Sequence, residues 1–109
     1  MERPWGSYRN LGQWSDKITL KVLKINPHSR TSLQKHDHRD EEWTCLSGRV
    51  RVTVGKRSFV LHVGEKAFVP RKKLHRAASV NGAQILELSY GKFDENDIVR
   101  IEDDYGRAK

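Results

Sequence analysis

The sequence predicts a single all-β domain spanning residues 1–109, built as a barrel of short strands. Three observations lead there. Apolar and β-branched runs of roughly four to nine residues recur about every ten positions, the spacing of a sandwich or barrel. Turn-forming pairs separate the runs: Asn26-Pro27, Ser47-Gly48, Gly55-Lys56, Gly64-Glu65 and Asn81-Gly82. No segment sustains the 3.6-residue apolar period of an amphipathic helix.

Taken in order, residues 17–25 read as a strand with Ile18, Leu20 and Val22 on one side. Leu23 and Ile25 then change parity, which implies a bulge or a strand covered on both faces. After the turn at 26–29, residues 32–38 carry a polar cluster, and 43–46 return as a strand containing Trp43 and Cys45. Residues 49–54 alternate arginine with valine, as a half-buried strand does. Gly55-Lys56 makes a tight hairpin into 58–62. Residues 67–69 end at Pro70, which cannot donate to a ladder. Two further strands, 74–78 and 83–90, flank the Asn81-Gly82 turn. Residues 94–97 suggest one helical turn before a last strand at 98–101.

The length of 109 residues suffices for one buried core. No run of eighteen apolar residues exists, so no membrane partner is expected. The N-terminus lacks a signal-like apolar stretch, and Cys45 is alone, which fits a reducing, cytoplasmic location. The formal charge of +7 invites a nucleic-acid reading. The basic residues are nevertheless scattered, and only Arg71-Lys72-Lys73 with His75-Arg76 forms a cluster. An anionic small molecule suits that cluster better than nucleic acid does.

The chemistry concentrates in Gln34-Lys35-His36-Asp37-His38-Arg39-Asp40-Glu41, answered by His75. In a strand, residues 34, 36 and 38 share a face. Imidazole, amide oxygen and carboxylate together suit zinc, iron, manganese or nickel.

Two blocks then align with a known pattern. The first runs from His28 across five residues to Gln34, then His36, Glu41 and Gly48. The second runs Gly64, Pro70, His75, Ser79. They resemble the two motifs of the cupin superfamily, G(X)5HXH(X)3,4E(X)6G and G(X)5PXG(X)2H(X)3N. The resemblance implies a double-stranded β-helix, or jelly-roll barrel, and metal ligands at Gln34, His36, Glu41 and His75. Glutamine at the first ligand position is the zinc-dependent phosphomannose isomerase choice. Arg3-Pro4-Trp5-Gly6-Ser7-Tyr8, Ser32-Leu33-Gln34, Asp97-Ile98-Val99-Arg100 and Tyr105-Gly106-Arg107 carry the resemblance further. They are similar to the C-terminal cupin domain of the bifunctional mannose-6-phosphate isomerase/mannose-1-phosphate guanylyltransferase family. Several positions depart from the pattern. His28 and Lys72 replace glycines, Ser79 replaces an asparagine, Glu42 a histidine and Asp104 an arginine.

The resemblance implies a metal-dependent aldose-ketose isomerase interconverting mannose 6-phosphate and fructose 6-phosphate, with one divalent ion, zinc first, stabilising an enediolate. The alternative is a non-catalytic metal-binding cupin that binds a sugar phosphate or sugar nucleotide. Candidate catalytic residues are His38, Glu87 and Arg76; for the general base the candidates are His38 and Glu87, with Lys35 and Glu42 behind them. Glu87 stands out as a charge between Leu86 and Leu88. Candidate phosphate donors are Lys72, Arg76, Arg39 and Arg100. Trp5, Tyr8 and Trp14 are candidates for stacking on a sugar. His28 and His62 read as surface or turn histidines. Exposed sheet edges favour a homodimer, with residues 3–8 crossing over.

Overall fold

The computed structural model describes residues 1–15, 17–91 and 96–104. The expected helical turn at 94–97 lies partly outside these residues. The Tyr105-Gly106-Arg107 motif and the side chain of Trp14 lie wholly outside them. Twelve strands are described: β1 (Glu2–Arg3), β2 (Gly6–Ser15), β3 (Ile18–Ile25), β4 (Ser29–Arg30), β5 (Leu33–Lys35), β6 (Arg39–Gly48), β7 (Val50–Val54), β8 (Arg57–Leu61), β9 (Lys66–Val69), β10 (His75–Ser79), β11 (Ala83–Gly91) and β12 (Val99–Glu102). No helix among the described residues is long and apolar enough to cross a membrane.

The strands form two antiparallel sheets. The first runs β1-β2-β3-β11-β6-β9 and the second β12-β5-β10-β7-β8, with β4 alongside β10. Side chains from both inner faces make the core, among them Ile25, Ile85, Val50, Val52 and Val69, each nearly inaccessible. The all-β barrel is therefore as expected. The hairpin between β7 and β8 turns on Gly55-Lys56, with Val54 opposite Arg57.

Several details differ from the sequence reading. β2, a ten-residue strand, carries no clean apolar alternation, and its pairing with β3 is broken by two register shifts. It forms because β3 presents a ready ladder. The segment 3–8 is tied into its own chain. Its β1 pairs with β2 of the same chain, and Tyr8 and Met1 exchange backbone hydrogen bonds. In β3 the parity change needs no bulge. Thr19, Lys21, Leu23 and Ile25 all face inward and are buried, while Ile18, Leu20 and Val22 face outward. β11 repeats the arrangement, with Ile85 and Glu87 inside and Leu86 and Leu88 outside. Both faces of the first sheet are therefore apolar over part of their area.

The inner face of the first sheet changes character along its length. At one end it carries Ile25, Ala83, Ile85 and Cys45. At the other it carries Thr19, Lys21, Glu87, Ser89, Glu41 and Arg39, all buried. Register places Lys21, Glu87 and Trp43 directly opposite one another across three strands. Buried polar groups of this density require partners, and they mark where the site lies.

Candidate metal centre

His36, Glu41 and His75 come from three separate pieces of chain. His36 follows β5, Glu41 lies on β6 and His75 opens β10, opposite Gln34 of β5. One ligand atom from each falls within 4.8 Å of the others, and all three residues are buried. His36 Nε2 lies 3.8 Å from Glu41 Oε2, and His75 Nε2 lies 3.7 Å from Glu41 Oε1.

Tautomers are set by the backbone. His36 Nδ1–H donates to the Asp97 carbonyl at 2.6 Å, and His75 Nδ1–H donates to the Lys73 carbonyl at 3.1 Å. Each ring therefore turns Nε2, with its lone pair, toward Glu41, as metal-binding histidines do. Burial, followed by the charges of Arg39 and His75, pulls the His36 pKa down to about 4. Burial likewise lowers His75. Both are neutral at pH 7, the form that ligates.

The fit to a metal ion rests on unpartnered atoms. Glu41 Oε1 and His75 Nε2 are fully buried and have no hydrogen-bond partner among the described residues. A buried carboxylate oxygen and an imidazole lone pair facing each other are costly unless a cation or donor joins them. Two imidazoles and one carboxylate suit zinc and its first-row neighbours. Gln34 faces the same space, and its Oε1 accepts a hydrogen bond from Ser32 Oγ at 2.6 Å, which orients the amide. Trp43 packs edge-on against His75, and the rings of His36 and His75 lie 5.0 Å apart.

A cavity of about 110 Å³ opens beside this cluster, lined by Gln34, His36, Arg39, Glu87, Lys21 and Arg100 among others. Glu87 is the expected inward-facing carboxylate. Burial, then the nearby Glu41 charge, pushes its pKa up to about 7, while Lys21, Arg39 and His36 pull the other way. Arg39 sits deeper than a phosphate donor at the rim would. Its Nε donates to Glu41 Oε2 at 3.1 Å, and its Nη2 lies 3.2 Å from His36 Nε2.

Other candidates lie elsewhere. β5 ends at Lys35, so the period-two argument stops there and His38 is exposed rather than sharing a face with His36. Its backbone N–H donates to Asp97 Oδ2. Arg76 is next to His75 on a strand, and adjacent strand residues face opposite ways. It is buried away from the cavity, donating to the Thr31 carbonyl and to Glu102. Lys72 is exposed on the 70–74 loop, its N–H donating to the His36 carbonyl. Lys35 pairs with Asp37, and Glu42 pairs with Lys66 on the outer face. Trp5 and Tyr8 line the cavity, with Lys21 Nζ 4.7 Å from the Tyr8 ring centroid.

Two contributors escaped the sequence reading. Lys21 looked like one more scattered surface cation. Its signal was the shared parity with Leu23 and Ile25, opposite Glu87. Asp97 binds the backbone N–H groups of Asp37 and His38 as well as the His36 ring, and so fixes the loop that aims His36.

Comparison with known proteins fits this geometry. The family model described as mannose-6-phosphate isomerase C-terminal matches residues 1–103. The chain belongs to that family. Alginate biosynthesis protein AlgA of Pseudomonas aeruginosa is 36% identical over 109 residues, covering 97% of this chain and 22% of AlgA. The mannose-1-phosphate guanylyltransferase of Sinorhizobium fredii is 31% identical over 105 residues, covering 94% of this chain and 20% of that protein. The chain thus spans about a fifth of the length of these relatives. The Schizosaccharomyces pombe Cnp3 cupin domain superimposes with a TM-score of 0.72 at 14% identity, over 77% of this chain and 63% of that one. The fold of this family member is a cupin barrel.

The relatives overturn one expectation. They are named for alginate biosynthesis and mannose-1-phosphate guanylyl transfer, not for interconverting mannose 6-phosphate and fructose 6-phosphate. The physical reason is that ligand and glycine motifs specify a barrel and an ion site. A particular reaction depends on substrate-facing groups, and His38, Lys72 and Arg76 do not face this cavity.

Proposed function

We propose that the domain binds one divalent ion, zinc first, through His36, Glu41 and His75 with Gln34 as a fourth donor. We assign it a metal-assisted step on a phosphorylated carbohydrate. The observation that carries this reading is the unpartnered pair of buried atoms, Glu41 Oε1 and His75 Nε2, in a three-residue cluster whose His36 lines a basic cavity. The relatives' names, which concern alginate biosynthesis and mannose-1-phosphate, support the substrate class.

When bound, the ion supplies Lewis acidity toward a ligand oxygen. The protein's own groups do the rest. Glu87, with its pKa near 7, can hold or release a proton at neutral pH, as a general acid or base must. Arg39 holds the Glu41 carboxylate in place. Lys21 and Arg100 line the cavity and bring positive charge toward an anionic ligand. Trp5 and Tyr8 offer ring faces to the sugar. A cytoplasmic location suits the single buried thiol of Cys45. The apolar outer face of the first sheet, Leu20, Val22, Leu86, Leu88 and the 57%-exposed Phe68, supports a homodimer through that face.

Elemental analysis followed by calorimetric titration with a panel of hexose phosphates and nucleotide sugars tests the reading. The expected result is one divalent ion per chain and a phosphorylated sugar whose binding is lost on chelation and restored by zinc. Binding that is indifferent both to chelation and to Glu41→Ala would refute it.

A further inference from the structure

A second cleft lies on the outer face of the other sheet. Arg30 on β4, Ala78 on β10, Arg51 on β7 and Val60 on β8 form one row, each residue directly opposite the next. Such neighbours sit roughly 5 Å apart. The two arginines therefore stand on either side of a strand that offers only a methyl group between them. A cleft of about 740 Å³ opens over this row, within the size range of small-molecule sites.

The lining is charged in one sense. It holds three arginines, Arg30, Arg49 and Arg51, against one carboxylate, Asp104. Asp104 is engaged by Arg30 in a two-point pair at 2.6 and 2.7 Å. The guanidinium groups of Arg49 and Arg51 have no ion-pair partner among the described residues. Val60, Ala78 and Val80 supply an apolar wall, Val80 being 64% exposed. His28, at the rim, holds a left-handed backbone (φ 54°) that a non-glycine residue adopts only under constraint, and its N–H donates to the Val80 carbonyl at 2.9 Å.

We propose that this cleft is a second ligand site, for a phosphorylated small molecule with a flat apolar part, the chemistry of a nucleotide. Arg49 and Arg51 take the phosphate oxygens, since guanidinium forks match phosphate geometry. The ring lies on Val60, Ala78 and Val80. The site is distinct from the metal centre, because β10 turns His75 inward and Ala78 outward.

Calorimetric titration of the full chain with ADP and with pyrophosphate, metal-loaded and chelator-treated, tests this. ADP should bind equally well in both states and more tightly than pyrophosphate. Arg49→Ala and Arg51→Ala should each weaken ADP about tenfold, the loss of one charge-assisted contact. Val60→Ser should weaken ADP but not pyrophosphate, and Arg9→Ala, on the other sheet, should change neither. These positions are exposed, and thermal melts will show that the variants fold. No ADP binding at millimolar concentration would overturn the proposal. So would binding that disappears on chelation and ignores Arg51→Ala, which would place ADP at the metal centre. Equal affinity for ADP and pyrophosphate would overturn the assignment of an apolar part.

Discussion

Glu87→Gln in the metal-free protein isolates the electrostatics of the cavity. Folding moves the Glu87 pKa from 4.5 to about 7. The folded state therefore holds the proton across that window while the unfolded chain releases it. Stability from this group is present below pH 4.5 and falls as pH rises to 7. His36 runs the other way, from 6.5 down to about 4. There the unfolded chain binds the proton first, so stability falls as pH drops from 6.5 to 4. The two shifts are of similar size and opposite sense, and burial lowers His75 in the same sense as His36, so wild-type stability should rise with pH toward 6.5. Glutamine removes the Glu87 arm and leaves those of His36 and His75. At about 1.4 kcal/mol per pKa unit, the stability difference between variant and wild type should grow by about 3 kcal/mol from pH 4.5 to 8, in the variant's favour. Loss of the carboxylate beside Lys21 offsets the absolute value, so the pH dependence is the quantity to read. Urea unfolding of chelator-treated protein at several pH values measures it. Parallel pH profiles for the two proteins would refute the assignment of a buried, proton-holding carboxylate.

Three further outcomes are expected. Glu41→Ala should weaken zinc binding at least ~100-fold, beyond what loss of an outer-shell partner does, as measured by competition with a chromogenic chelator. Gly48→Ala should destabilise by more than about 2 kcal/mol, because at φ 71° its Cβ would overlap the Gly82 carbonyl. Gly64→Ala, at φ 88° with open space around it, should lose only ~1 kcal/mol in the same denaturation assay. Lys72→Gly and His28→Gly should each raise stability by up to about 1 kcal/mol, since these are the two non-glycine residues with positive φ among the described residues.

Much of the barrel was legible because its strands are short, β-branched and separated by turn residues. The two blocks of ligand residues were legible for another reason. Chain spacing survives folding, so residues 36, 41 and 75 could be matched to a pattern without knowing their contacts. The glycine positions at 28 and 72 were legible too. The chain keeps the left-handed turns (φ 54° and 65°) although the glycines are gone. What was not legible depended on the third dimension. Where β5 stops decides that His36 points in and His38 out. Strand parity turns Arg76 away from the cavity although it follows His75 directly. Lys21 is buried only because β11 lies alongside and presents Glu87.

The two-sided apolar character of β11 bears on register fidelity. A one-residue slip would send Leu86 and Leu88 into the barrel and Glu87 out to water, an exchange that hydrophobicity alone would favour. Sterics stand in the way at both ends of the strand. At one end the Gly82–Ala83 backbone presses on Gly48. At the other, Gly91 lies so close to the His38 carbonyl that any side chain there would collide with it. A slip would bring Tyr90 or a later residue with a Cβ into that gap. The carboxylate in the cavity is thus kept inside by two glycine contacts more than by the chain's apolar pattern, and sequence changes at those ends would scramble the site without touching it.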